Sequence, residues 1–273
     1  MSNYKLIAFD MDGTLLDSEK KIPAETVDMI HQAVSAGKLV CLGTGRCLPE
    51  LEEFFPVLPD IRYIIGESGV LIYDREADEY IYSSPLKKEI AVEIFRRVQA
   101  SGEDIMFHIH CDRSIVQDDR IPRMKDYRMD VYQPMFDRIC TKVPDICSFF
   151  LSAPFAPNKV NIYCKSEEQW ERIYRLLSDI DIEFKHVEGV SLECIPKDQT
   201  KGNGLKKLCE HLSIPMEKTI AVGDADNDIE MLSTAGLAIA MGNSNDNVKQ
   251  IADVIVADND HGGCVQAIRD YLL

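Results

Sequence analysis

The sequence lacks several features that would place it outside the ordinary soluble enzymes. No apolar run approaches 18 residues, and the N-terminus has no basic segment followed by an apolar stretch. A membrane-spanning or exported chain is therefore not expected, and a cytoplasmic protein is the default. None of the nine cysteines (41, 47, 111, 140, 147, 164, 194, 209 and 264) forms a CxxC pair, and their number is odd. That pattern argues for buried thiols in a reducing compartment and against a disulfide frame, a zinc site or a catalytic cysteine. The six histidines (31, 108, 110, 186, 211 and 261) show no metal-ligand spacing. Positive charge is also short: the net charge is −16, which argues against nucleic acid as a partner. There is no internal repeat and no low-complexity segment.

What is present is ordinary in total and uneven in distribution. Hydrophobic residues make up 45% and charged residues 28% of the 273 positions, so a packed fold of one large or two modest domains is expected. Residues 86–190 carry 16 Lys plus Arg against 18 acids, whereas the remainder carries 14 against 28. One part is nearly neutral and the other holds almost all the negative charge.

The first apolar run, Leu6 to Phe9, stops abruptly at Asp10-Met11-Asp12-Gly13-Thr14. A short run ended by acids and glycine is the profile of a buried parallel strand delivering its C-terminal end to a site. Two aspartates this close repel each other, and a cation is the natural compensation. Residues 23–36 read as a helix with Val27, Ile30 and Val34 on one face. A second run, 38–42, stops at Gly43-Thr44-Gly45-Arg46, and a third, 63–65, at Gly66-Glu67-Ser68-Gly69. Residues 70–73 and 80–82 then predict a hairpin projecting from the sheet. From about 86 to 190, short alternating strands mix with helices and imply an α+β insertion. Helices are expected over 86–100 and 166–177, the latter with Ser166 as its cap. His108 and His110 share one face of an inserted strand and are expected on the sheet surface. The strand–helix alternation resumes after Pro196, with Lys201 near a helix start and Gly223-Asp224-Ala225-Asp226-Asn227-Asp228 ending the strand 219–222.

Asp10-Met11-Asp12-Gly13-Thr14, Thr44, Lys201 and Gly223 to Asp228 together resemble, in order, the four motifs of the haloacid dehalogenase phosphohydrolase superfamily. The short spacing from Asp12 to Thr44 and the long one from Thr44 to Lys201 leave room for a cap between them; that position, with Gly223 to Asp228, Ala240-Met241-Gly242-Asn243-Ser244 and the tail Asp258 to Val265, resembles the Cof-type sugar-phosphatase family with a C2B-type cap. The implied fold is α/β, a Rossmann-like parallel-sheet core over 1–85 and 191–273 with an inserted α+β cap, 86–190, that selects substrate.

The resemblance implies Asp10 as the nucleophile forming an aspartyl-phosphate and Asp12 as general acid, then base. It implies Mg²⁺ held by the Asp10 carboxylate, the Asp12 backbone carbonyl, the Asp224 carboxylate and, through water, Asp228. Thr44 would hydrogen-bond a phosphoryl oxygen and Lys201 would neutralise it while pairing with the acids; Gly45, in the same turn, is a further candidate for phosphate contact, and Arg46 for contact with phosphate or a neighbouring acid. Asp226 and Glu230 read as ordinary acids, and Asn227 as a brace for the acidic loop. Arg113, Arg120, Arg123, Lys125 and Arg128 cluster in the insertion, with Arg123 and Arg128 the candidates for a second anionic group of substrate. Where many relatives have an Asn-Gly-Ala turn, this chain has Glu67-Ser68-Gly69-Val70, which weakens any inference of substrate from them. The expected function is Mg²⁺-dependent hydrolysis of small phosphorylated metabolites, such as sugar phosphates, pyridoxal phosphate or nucleotide monophosphates. A phosphohexomutase of similar capped fold and a catalytically silent binding or regulatory protein are the alternatives. The chain is expected to act as a monomer or small homo-oligomer.

Overall fold

The first apolar runs fold as strands because each is buried on both faces and stops at residues that cannot continue a ladder. In the computed structural model, which describes residues 2–187 and 190–273, they are β1 (Leu6–Phe9), β2 (Leu39–Gly43) and β3 (Tyr63–Gly66), followed by β4 (Leu71–Asp74) and β5 (Glu79–Ser83). The insertion contributes β6 (Met106–His110), β7 (Ser114–Gln117), β8 (Thr141–Val143), β9 (Lys159–Tyr163), β10 (Glu183–Val187) and β11 (Ser191–Ile195). The last strands are β12 (Thr219–Gly223), β13 (Leu237–Ala240) and β14 (Val254–Ile255). No helix is long and apolar enough to cross a membrane, among the described residues.

Two units result. The first comprises Met1–Arg46, Glu52–Ser83 and Gln199–Leu273. Its eight-stranded sheet has the order β14-β13-β12-β1-β2-β3-β4-β5 and is parallel except for β4 and β5. The hairpin expected to project from the sheet instead extends its edge, because β4 pairs with β3. The chain runs outward from β1 through β2 in one direction and returns through β12 on the other side. The strand order thus reverses between β1 and β12, and open parallel sheets leave a crevice at the carboxyl ends of strands at such a point. Phe9 lies level with Leu42 on one neighbour and Val222 on the other. Asp10, Thr44 and Asp224 therefore leave the sheet at one edge. Leu6, Ala8, Cys41, Ile65, Leu205, Leu208, Ala221 and Met231 form much of the core on one side of this sheet.

The second unit comprises Cys47–Leu51 and Ser84–Asp198. Its sheet has the order β10-β11-β9-β6-β7-β8, antiparallel except between β7 and β8. Helices Lys88–Ser101, Ile146–Ser152 and Glu167–Leu177 contribute Ile94, Phe95, Phe150, Ile173 and Leu177 to its core. Ser166 caps the last helix, accepting from the Gln169 N–H at 3.3 Å. The boundaries differ from those read in the sequence. Strand β11, assigned to the core when the boundary was drawn at 191, is paired between β10 and β9 and belongs to the inserted sheet. Residues Cys47–Leu51 also join the second unit, which no composition shift announced.

Candidate functional site

Asp10 follows a strand whose four residues are all buried, and its N–H donates to the Val222 carbonyl at 3.0 Å. Its carboxylate is only 5% exposed. Lys201 reaches it from the first turn of helix Lys201–Leu212, which Thr200 caps by accepting from the Asn203 N–H at 3.1 Å. The Lys201 ammonium donates to Asp10 Oδ1 at 2.6 Å and to Asp228 Oδ1 at 2.7 Å. The other Asp228 oxygen accepts from the backbone N–H groups of Asp224 and Ala225 at 3.0 and 3.2 Å. Asp228 thus ties the loop after β12 to the lysine.

Carboxylate oxygens of Asp10, Asp224 and Asp228 lie within 4.8 Å of one another. Three carboxylates face one ammonium, in a place with little water. Burial, then the charge of Asp228, push the Asp10 carboxyl well above its usual range, with Lys201 opposing. The same two causes raise Asp224 to about 6, while the Thr14 hydroxyl, donating to its Oδ1 at 2.9 Å, opposes them. Burial alone would lower Lys201, but Asp10 and Asp228 reverse that and raise it. The cluster holds more carboxylates than cationic groups. Its donors are all hard oxygens, the set that suits Mg²⁺ and not a soft transition metal, so the residues fit the metal expected from the motifs.

Asp12 is set apart from this cluster. Its carboxylate takes a two-pronged contact from Arg46, Nε to Oδ2 at 2.7 Å and Nη2 to Oδ1 at 2.8 Å, and a third from Lys20 at 2.9 Å. Burial disfavours its charge, yet Arg46 and Lys20 outweigh burial and hold it ionised down to about 2. Arg46 therefore pairs with a neighbouring acid, one of the two partners the sequence allows it. Lys20, in an unpatterned loop, carried no signal at all in the sequence.

A pKa of about 2 against an ordinary carboxylate value means that Asp12 stabilises the fold above about pH 4 and that this contribution is lost as pH falls towards 2. Arg46→Ala is expected to lower stability at pH 7 by about 2 kcal/mol. In urea unfolding, the gap between parent and variant should then narrow as the pH is taken below about 4. A gap independent of pH would show that Arg46 acts by packing alone.

The glycine between these acids is required by shape. Gly13 has φ +78°, and a Cβ there would sit 2.4 Å from Asp224 Oδ2. Thr44, 1% exposed, accepts from the Arg46 N–H at 3.1 Å, which leaves its own hydroxyl proton to be donated elsewhere. The turn that departs from the family pattern braces this loop: the N–H groups of Glu67 and Ser68 donate to the carbonyls of Arg46 and Thr44, both at 3.0 Å. Glu67 and Ser68 hold φ of 51° and 59°, a left-handed conformation that costs roughly 1–2 kcal/mol per residue. Next to them Gly69 passes so close to the Thr200 carbonyl that a Cβ would lie 2.0 Å from it.

The remaining candidates fall into place less uniformly. Asp226 is exposed and accepts from Asn245 and Asn247 at 2.9 and 3.1 Å. Asn243, in the loop after β13, donates to the Gly13 carbonyl at 2.8 Å. In the second unit, Arg123 is held by Asp104 at 2.8 Å and Asp126 at 3.1 Å, with Arg120 and Lys165 on the same Asp104. That ion cluster gives Arg123 a structural role the sequence did not suggest, and Arg128 lies exposed just beyond the 3₁₀ helix Asp118–Tyr127. His108 and His110 are not surface residues: both are buried, which lowers His108 to about 3 and holds His110 well below its usual range. All nine cysteines are free thiols, eight of them buried.

Comparison with known proteins gives the family. The sequence profile of the haloacid dehalogenase-like hydrolases matches residues 7–268. The chain is 27% identical to Phosphatase YwpJ of Bacillus subtilis, covering 98% of this chain and 100% of that one. It is also 27% identical to the 5-amino-6-(5-phospho-D-ribitylamino)uracil phosphatase YitU of the same organism, over 97% of both. Among solved structures, a haloacid dehalogenase-like hydrolase from Bacteroides thetaiotaomicron superposes with a TM-score of 0.85 at 24% identity, covering 98% of this chain and 99% of that one. With the profile covering nearly its whole length, the chain belongs to the haloacid dehalogenase-like hydrolase family, as a Cof-type phosphatase.

Proposed function

We propose that the protein hydrolyses small phosphorylated metabolites with Mg²⁺ as cofactor, through an aspartyl-phosphate on Asp10. The observation that carries this reading is the division of the acids: Asp10, Asp224 and Asp228 cluster around a single lysine, whereas Asp12 is held apart by Arg46 and Lys20.

In this reading Lys201 fixes Asp10 Oδ1 and leaves Oδ2 to attack phosphorus. A bond forms from that oxygen to phosphorus as the ester P–O bond breaks, and the leaving oxygen takes a proton from Asp12. Asp12 is ionised while Arg46 and Lys20 hold it. A phosphoryl dianion competing for those two cations weakens their hold, which raises the carboxyl towards the value a proton donor needs. Water then attacks the aspartyl-phosphate, its proton returns to Asp12, and inorganic phosphate leaves. Thr44 and Lys201 donate to the phosphoryl oxygens. Mg²⁺, held by Asp10 and Asp224 with Asp228 bracing the loop, would supply the positive charge that lets one anion attack another.

Small metabolites are favoured as substrates because YitU, matched end to end, is named for a phosphorylated ribitylamino-uracil. A panel of sugar phosphates, pyridoxal phosphate and nucleoside monophosphates, assayed with Mg²⁺ and again with EDTA, tests the proposal. Phosphate release from at least one compound, abolished by EDTA, is expected. No release from any of them would leave the silent-protein alternative standing. Conversion of a hexose 1-phosphate to its 6-phosphate without free phosphate would make it a mutase.

A further inference from the structure

The inserted sheet has an unusual second face. Cross-strand register puts His110 opposite Lys159, and His108 opposite Asn161, which in turn lies opposite Glu193. Alternation sends Phe107, Ile109, Val160, Ile162 and Leu192 to the apolar core on the opposite side. The polar face would be expected in water, yet His108, His110, Lys159, Asn161 and Glu193 are all at most 7% exposed. Most of its groups are matched. Lys159 pairs with Glu193 at 2.5 Å, and His108 is held between Ser114 Oγ at 2.6 Å and Tyr163 Oη at 3.2 Å.

Two atoms on this face are not matched: Nδ1 of His110 and Oδ1 of Asn161 are buried without a hydrogen-bond partner. They belong to neighbouring groups, since the Asn161 amide nitrogen lies 3.4 Å from His110 Nε2. Turning the amide over would let Oδ1 accept from Nε2–H and leave Nδ1 with a bare lone pair. A hydrogen bond on one ring nitrogen that presents the other as a donor is the usual support of a metal-bound histidine. Beside this ring lies the short segment Cys47–Leu51. A His110 ring nitrogen, the Cys47 thiol and a Glu50 carboxylate oxygen lie within 4.8 Å of one another. Glu50 is steered there by the Cys47 N–H, which donates to its Oε2 at 3.1 Å.

We propose that Cys47, Glu50 and His110 bind one divalent transition-metal ion of the Zn²⁺ type, at a site separate from the carboxylate cluster. A thiolate, an imidazole and a carboxylate are the mixed donors that Zn²⁺ accepts, with a fourth, open position for water. A thiolate and a carboxylate together cancel the charge of the ion, so it can be buried without an unbalanced charge. The Cys47 proton leaves to bulk solvent on binding. Lys159, opposite His110, carries a charge that works against the ion, and its pairing with Glu193 offsets part of it. The soft thiolate separates this site from the all-oxygen cluster around Asp10, which favours Mg²⁺. The odd spacing of the cysteines hid it, because the third donor is 60 residues away in the chain and arrives only through sheet register.

The test is made on the full chain, stripped with a chelator and kept in saturating Mg²⁺. One equivalent of Co²⁺ should give a near-ultraviolet thiolate-to-cobalt charge-transfer band, which one equivalent of Zn²⁺ abolishes. Cys47→Ser should lose the band and bind Zn²⁺ at least about 100-fold more weakly. Absence of the band in the parent, or an undiminished band in Cys47→Ser, overturns the proposal. Should Cys47→Ser fail to fold, Glu50→Gln and His110→Gln decide: each must weaken Zn²⁺ binding at least about tenfold, and unchanged affinity in both overturns it.

Discussion

Replacing Asp10 with Asn is expected to abolish phosphate release, by at least about 10⁴-fold, while making the metal-free protein more stable. The two effects have one origin. Asp10 is the carboxylate placed to attack, and it occupies a pocket that already holds Asp224 and Asp228 with a single lysine. Its carboxyl is raised above the unfolded value, so ionisation opposes folding. A group of this kind stabilises below its unfolded pKa and loses that contribution as pH rises through its folded one. Asn cannot ionise, so the advantage of Asp10→Asn in EDTA should be absent near pH 4 and grow towards neutrality. Asp224, raised to about 6, adds stability loss of the same sign between about pH 4 and 6 in both proteins. Thermal melts of both proteins across that range, with and without Mg²⁺, provide the measurement. An active Asp10→Asn protein would remove Asp10 from the nucleophile role, and a variant less stable than the parent at pH 7 in EDTA would refute the charge argument.

Lys201→Met is expected to act in the opposite direction and almost as strongly. Lys201 is 1% exposed and is the shared counter-charge of Asp10 and Asp228, themselves 5% and 0% exposed. Removing one partner from a buried ion pair leaves an uncompensated charge and costs about 3–5 kcal/mol. For a chain of this size that is a fall in Tm of roughly 10 °C. Mg²⁺ should restore part of the loss, because it supplies positive charge to the same carboxylates and binds only the folded chain. A fall of less than about 2 °C would mean that Asp10 and Asp228 are neutral in the fold and that the lysine is not their counter-charge. Since Lys201 also orients Asp10, activity should remain low even where Mg²⁺ recovers stability. That separation distinguishes positioning of the nucleophile from simple maintenance of the fold.

Both predictions rest on residues that the chain order makes visible. Asp10, Thr44 and Asp224 each end a short buried run, and Lys201 opens a helix, so their convergence follows once those runs are parallel neighbours. Other features needed the tertiary structure. Arg46, after Thr44 in a glycine turn, reads as a contact for phosphate or for a neighbouring acid, and only the fold selects Asp12, 34 residues away, as the partner of its two-pronged contact. Glu67 and Ser68 read only as a departure from a familiar turn, whereas their left-handed backbone is what lets their N–H groups reach Thr44 and Arg46.

By itself, then, the sequence determined the α/β core, the four motifs in their order, the insertion between Thr44 and Lys201, and the acidic chemistry at one sheet edge. These follow from local rules: apolar runs form strands, acids and glycines end them, and parallel strands present their ends together. Only the tertiary structure decided that Asp12 is clamped by Arg46 and Lys20, that β11 belongs to the inserted sheet, and that Cys47–Leu51 joins it. It also decided that the polar side of β6, β9 and β11 is buried, bringing His110 beside Cys47 and Glu50. Alternation along a strand tells which residues share a face, but not what covers that face. Ion pairs and covered faces depend on partners far away in the chain, and no local pattern records them.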